Sequence, residues 1–146
     1  MDQDRLARIR ASFELFEPCG PALMARVVLR LAKRHPGSHA LFARGDVAEQ
    51  NNRLWMTFQD IVSRLHRFHE LELPLMKLGA RAALAGARGV HYAAIRGELI
   101  DTMAELAGPD WSPALREDWD LVLSAVCGAM IRGAMHAGAE ARRNAA

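Results

Sequence analysis

Two histidines three residues apart, His66 and His69, are the first pair in the sequence with the spacing for chemistry. Residues at i and i+3 are neighbours on a helix, so both imidazoles share a face, with Glu70 and Glu72 close behind. Two ligands are too few to define a metal site, and a solvated helix end is the plainer expectation. Four cations follow, Lys77, Arg81, Arg88 and Arg96. Clustered positive charge can meet an anionic group or an acidic partner, or form a hydrated face; Lys77, Arg81 and Arg88 are the candidate anion contacts. Gln50 can donate a hydrogen bond into a pocket or point to water. Cys19 and Cys127 form no CxxC pattern. Cys127, beside Val126, reads as a small buried hydrophobe with nothing nearby in sequence to activate it. No phosphate-binding glycine loop, nucleophile elbow or paired catalytic carboxylates occur, and the reading that follows is of a protein that is not an enzyme.

The elements that must position these residues are helical. No run alternates at period two and no Asn-Gly or Asp-Gly turn is present, so strands have no local signal. Asp2 or Asp4 can cap a first helix with the stripe Leu6, Ile9, Phe13 and Phe16. Gly20-Pro21 starts a second, carrying Leu23, Val27, Val28 and Leu31 and ending before Pro36. A short turn of helix follows Pro36. Asp46 can cap a helix bearing Val47, Leu54, Phe58, Ile61, Val62 and Leu65. A break at Glu70 to Pro74 is expected to precede a shorter helix over 75–85, ended by glycines at 86 and 89. The next helix, from about His91, carries Ile95, Leu99, Ile100, Met103 and Leu106. Ser112-Pro113 opens the last, with Leu115, Trp119, Val122, Val126 and Met130. The expectation is an all-α chain of about six main helices plus that short turn, in one domain over 1–146, its core at about 5–135 and its tail at 136–146 frayed.

Composition agrees with one folded core: 146 residues, 51% hydrophobic and 25% charged. A formal charge of +2, from 19 basic and 17 acidic side chains, is too even to suggest nucleic-acid binding. No secretory-type signal segment opens the chain, and no window approaches ~18 consecutive apolar residues. With two free thiols, the expectation is a cytoplasmic protein without direct membrane insertion.

The stretch from Leu78-Gly79 through Ala82 and Gly86 to His91-Tyr92 resembles the bacterial globin family, in particular the globin domain of flavohaemoglobins and related single-domain bacterial globins. That family shows Leu-Gly-x-x-His, a glycine four residues on, and His-Tyr nine and ten residues after the histidine. Pro36 with Ala40-Leu41-Phe42 resembles the turn that presents a phenylalanine to haem. Gln50 and Leu54 match distal positions, and Trp119 with Met130-Ile131 resembles the last helix. The likeness covers about residues 5–135 and implies a globin-like fold. It also implies a haem pocket bounded by Val28, Phe42, Gln50, Leu54, Leu78, Ala82 and Tyr92.

The departures from the family are concerted. Ala82 stands at the proximal histidine, Val28 at the distal tyrosine, Ala134 at the glutamate that supports the histidine, and Leu123 at an aromatic of the last helix. Haem iron is held by an axial side chain, and distal polar groups govern oxygen, so the resemblance implies a globin that has lost ordinary haem ligation. No cofactor is expected, haem being possible only with unconventional ligation; His69 is the remote substitute ligand. Three functions follow. The first is a haem-free interaction, assembly or regulatory module acting through a protein partner or as a homodimer. The second is a binding protein for haem, a linear tetrapyrrole, a fatty acid or another small apolar or anionic ligand in the old pocket. The third is a haem globin for oxygen or nitric oxide whose ligand lies elsewhere. Interiors do not keep a haem-sized void cheaply, so the state of that pocket discriminates among them.

Overall fold

Three short polar side chains open three of the helices. Asp2 accepts the Arg5 N–H at 2.7 Å, Asp46 the Glu49 N–H at 3.0 Å, and Ser112 the Leu115 N–H at 3.1 Å, satisfying donors that a helix start leaves unpaired. The computed structural model describes residues 2–42 and 45–145, the side chains of residues 39 and 40 excepted. Among them the chain is all-helical: α1 Gln3–Phe16, α2 Pro21–Arg34, α3 Pro36–His39, α4 Val47–Ser63, α5 Phe68–Leu84, α6 Gly89–Ala107 and α7 Pro113–Ala145. Single 3₁₀ turns lie at Ala40–Phe42, Leu65–Arg67 and Gly108–Asp110. Six long helices and one short one match the expected number.

Two boundaries differ from expectation. The break placed at Glu70 to Pro74 lies earlier, in the 3₁₀ turn Leu65–Arg67, and α5 runs through Pro74. Proline removes one helix hydrogen bond and crowds the preceding turn. Here it is exposed, and Leu71 and Leu75 on either side are buried at 1–2% exposure, so tertiary packing overrides the local penalty. The tail is also helical through Ala145 instead of frayed, its alanines being the strongest helix formers. α7 has the length and apolarity of a membrane span by composition alone. Its stripe Val122, Val126 and Ala129 is buried in the core, while 28% of the apolar window as a whole is buried.

α5 and α7 meet backbone to backbone. A Cβ at Gly79 would fall inside the van der Waals shell of the Met130 carbonyl, and one at Gly133 inside that of Met76. Any side chain at either position would part the helices. The α5 terminus is equally determined: Gly86 has φ +101°, a conformation that favours glycine, and the Ala87 N–H closes back on the Ala82 carbonyl at 3.0 Å.

Two buried carboxylates tie the frame together. Asp118 on α7 accepts from Arg5 Nε at 2.9 Å and from Arg8 Nη2 at 3.0 Å on α1. The Arg8 hydrogen bond holds its carboxyl below the ordinary range against the cost of burial. Glu98 on α6 meets Arg30 at 2.8 Å, Arg34 at 3.5 Å and His35 at 3.3 Å. Burial alone pushes Glu98 up, but these partners together hold it below its usual value.

Candidate functional site

The helix stripes converge on an apolar cavity of about 360 Å³. Leu54, Phe58 and Ile61 face it from α4, and Leu78 and Ala82 from α5. Tyr92, Ile95 and Leu99 do so from α6, and Leu123, Val126 and Met130 from α7. These intervals of three, four and seven residues put each group on one side of its helix. Leu41 and Phe42, from the 3₁₀ turn, and Met24 of α2 complete the apolar wall. The volume falls in the range of small-molecule pockets.

Five of the seven residues expected to bound the pocket line this cavity: Phe42, Leu54, Leu78, Ala82 and Tyr92. Val28 and Gln50 do not. Val28 is buried on α2, and Gln50 is half-buried on α4 with its carbonyl oxygen unpartnered among the described residues. Lys77, Arg81 and Arg88 are exposed and off the wall, so the structure does not bring them to the cavity as anion contacts. Arg96 does reach it, and its Nε lies 3.4 Å from Asp120 Oδ1 on α7. His66 and His69 do not form a site: His66 Nδ1 meets Arg10 at 2.9 Å, while His69, 80% exposed, lies 4.0 Å from Glu70. As a substitute iron ligand His69 is therefore misplaced, standing in solvent outside the cavity.

Three polar wall groups, Thr57, His91 and Cys127, were not placed there by the sequence reading, which did expect Tyr92. Cys127, taken there for a core hydrophobe, lines the cavity; burial pushes its thiol up, with Arg96 opposing. Tyr92 is 7% exposed. Its hydroxyl is buried without a partner among the described residues, and burial, with Cys127 nearby, raises its pKa. His91 is the one described imidazole on the wall. Its Nδ1 accepts the Arg88 N–H at 2.8 Å, so the neutral ring carries its proton on Nε2. The position of His91-Tyr92 one turn into α6 was the signal for these two; Cys127 had none, because only the α5–α7 crossing reveals which face of α7 is the wall.

The wall does not supply ordinary globin ligation of a haem, which takes an axial imidazole at the proximal position. Ala82 offers no donor there, the His91 Nδ1 lone pair is engaged by the Arg88 N–H, and burial disfavours the Cys127 thiolate. No three-residue cluster of His, Cys, Asp or Glu suited to a metal occurs among the described residues. No family model matches the chain, and no curated protein matches it.

Proposed function

We propose that this chain is a globin-like protein without haem ligation that serves as a binding protein for a small apolar molecule. The globin-like reading is supported by the surviving spacing: residues chosen from the likeness, Leu54, Leu78, Ala82 and Tyr92 among them, line one cavity. The binding reading is carried by one observation, the cavity itself. Close packing normally eliminates such space, and a chain released from haem could have filled it with a larger side chain at Ala82. It has kept the volume and an apolar wall instead. The protein acts by binding, with no catalysis.

An interaction or regulatory module, acting on a partner or as a homodimer, is the second reading. It is favoured by Leu84 and Val90, 91% and 69% exposed at the α5–α6 corner beside the cavity. Contiguous exposed apolar patches mark interaction sites, whereas single exposed side chains are ordinary. Ligand binding beneath that corner is what such a module would sense.

Calorimetric titration with naphthalene tests the binding reading. The wild-type protein should bind it saturably, and Ala82→Phe, which puts a ring into the cavity, should not, while keeping its helical circular dichroism. Absence of binding to the wild type, or equal binding to both, overturns the proposal. The loss of haem ligation is tested by expression with ample haem: a one-to-one Soret band in the wild type would sink it, and Ala82→His should gain such a band.

A further inference from the structure

The cavity carries information about the polarity of what fills it, and this inference rests on the binding reading above. Its wall has polar groups at Thr57, His91, Tyr92, Arg96 and Cys127. We infer that the ligand is an uncharged, largely hydrocarbon molecule bearing an acceptor oxygen such as a ketone carbonyl, and that Tyr92 on α6 is the donor that receives it.

Charge decides the first half. Arg96 is the one cation on the described wall, and Asp120 already faces it at 3.4 Å. Arg96 and Asp120 are 33% and 55% exposed, a pair at the surface, so a carboxylate buried in the cavity would lose its hydration with no buried cation on the described wall to meet it. Lys77, Arg81 and Arg88 stay in solvent and offer no relief. Neither a fatty acid nor a propionate-bearing tetrapyrrole suits such a wall as well as a neutral molecule.

Hydrogen-bond sense decides the second half. The Tyr92 hydroxyl is buried and unpartnered among the described residues, and a buried donor left unpaired destabilises until something accepts from it. Tyr92 is thus an unspent buried donor on the wall, and burial disfavours its phenolate. A ligand oxygen that only accepts, such as a ketone carbonyl, matches it. In size, 360 Å³ is more than twice the ~150 Å³ cavity that holds a benzene ring, so a two-ring compound is a fair probe.

The test uses naphthalene, 2-acetylnaphthalene and 2-naphthoate, titrated calorimetrically at pH 7 into the wild type and Tyr92→Phe. The ketone should bind the wild type tightest and the carboxylate weaker than the ketone. Tyr92→Phe should weaken ketone binding about five-fold and leave naphthalene unchanged. Unaltered ketone affinity in Tyr92→Phe overturns the inference, as does tightest binding of naphthoate, while naphthalene binding would still uphold the cavity's role. Failure of all three probes overturns both. Melting and circular dichroism of the variant check that it folds; since only an unpartnered hydroxyl is removed, its midpoint should not fall.

Discussion

Two aromatic residues define the two halves of this molecule. Trp119 on α7 is fully buried, packs at a tilt against Phe58 at 5.7 Å and donates its indole N–H to Ser12 Oγ at 2.9 Å. Ser12 in turn donates to the Ile9 carbonyl at 2.8 Å. Phe13 stacks on Trp55 at 5.3 Å and meets Phe58 edge-on at 5.4 Å. In this half the rings of Phe13, Trp55, Phe58 and Trp119 pack on one another and the buried indole of Trp119 is satisfied. Tyr92 on α6 is nearly as buried, yet it faces a cavity and its hydroxyl lacks a protein partner. Phe58 belongs to both halves, as a member of the aromatic cluster and of the cavity wall. The contrast separates a close-packed aromatic end, which maintains the frame, from an end left open at the cavity.

The largest expected effect breaks the packed half. Trp119→Ala should cost about 4 kcal/mol, measured by denaturant unfolding, since it removes ring packing and the indole hydrogen bond to Ser12. A loss below about 1 kcal/mol would mean that the aromatic end is not what supports the open one.

Next in size is the ionic tie behind the cavity. Glu98→Gln removes the buried charge facing Arg30, Arg34 and His35 but leaves Arg30 its ion pair with Glu105 at 2.7 Å, and should cost about 2 kcal/mol. The pH dependence has a definite sign. Glu98 and Asp118 both titrate below their ordinary values of 4.5 and 3.8 in the folded chain. The native state therefore binds fewer protons than the unfolded one near those values. The stability they contribute is complete above about pH 5 and is lost as pH falls through the lowered values. In Glu98→Gln the acid-induced loss should shrink, with Asp118 supplying what remains. An unchanged pH profile would remove Glu98 from the tie.

How far this division was legible in sequence depends on the range of the interaction. Caps such as Asp2 and Asp46 act over three residues, and the apolar stripes of α1, α2 and α4 act over one turn, so local reading found them. The likeness around Leu78, Ala82 and Tyr92 carried spacing over a longer stretch and pointed to five wall residues. Val28 and Gln50, inferred from the same likeness, fall off the wall because helix rotation is set by tertiary packing. Glu98 and Asp118 were invisible as buried charges, since Arg30 lies 68 residues from the one and Arg8 110 from the other. Pro74 read as a break because its penalty is local while the packing of Leu71 and Leu75 is not.

A smaller effect sharpens the contrast from the open side. Inserting bulk into a close-packed core costs about 1–3 kcal/mol. Ala82→Phe should cost less than 1 kcal/mol by the same unfolding measurement, because the cavity accepts the ring. A cost as large as a packed core would show would mean that the cavity collapses in solution.

The smallest effect is the most discriminating, because its sign differs between the halves. In the packed half, Ser12→Ala leaves the buried Trp119 N–H unpaired and should destabilise by about 1–2 kcal/mol. Tyr92→Phe performs the opposite operation, deleting a buried donor that has no protein partner. It should be neutral or raise stability by up to about 1 kcal/mol without ligand. With 2-acetylnaphthalene in excess, the wild type should gain more stability than the variant, because a ligand stabilises in proportion to its affinity for the folded state. Thermal melting of both proteins with and without the ketone measures the two signs together. A hydroxyl kept at a cost in the free protein and repaid on binding is the mark of a binding group; loss of stability in the free variant would make Tyr92 one more member of the packed core.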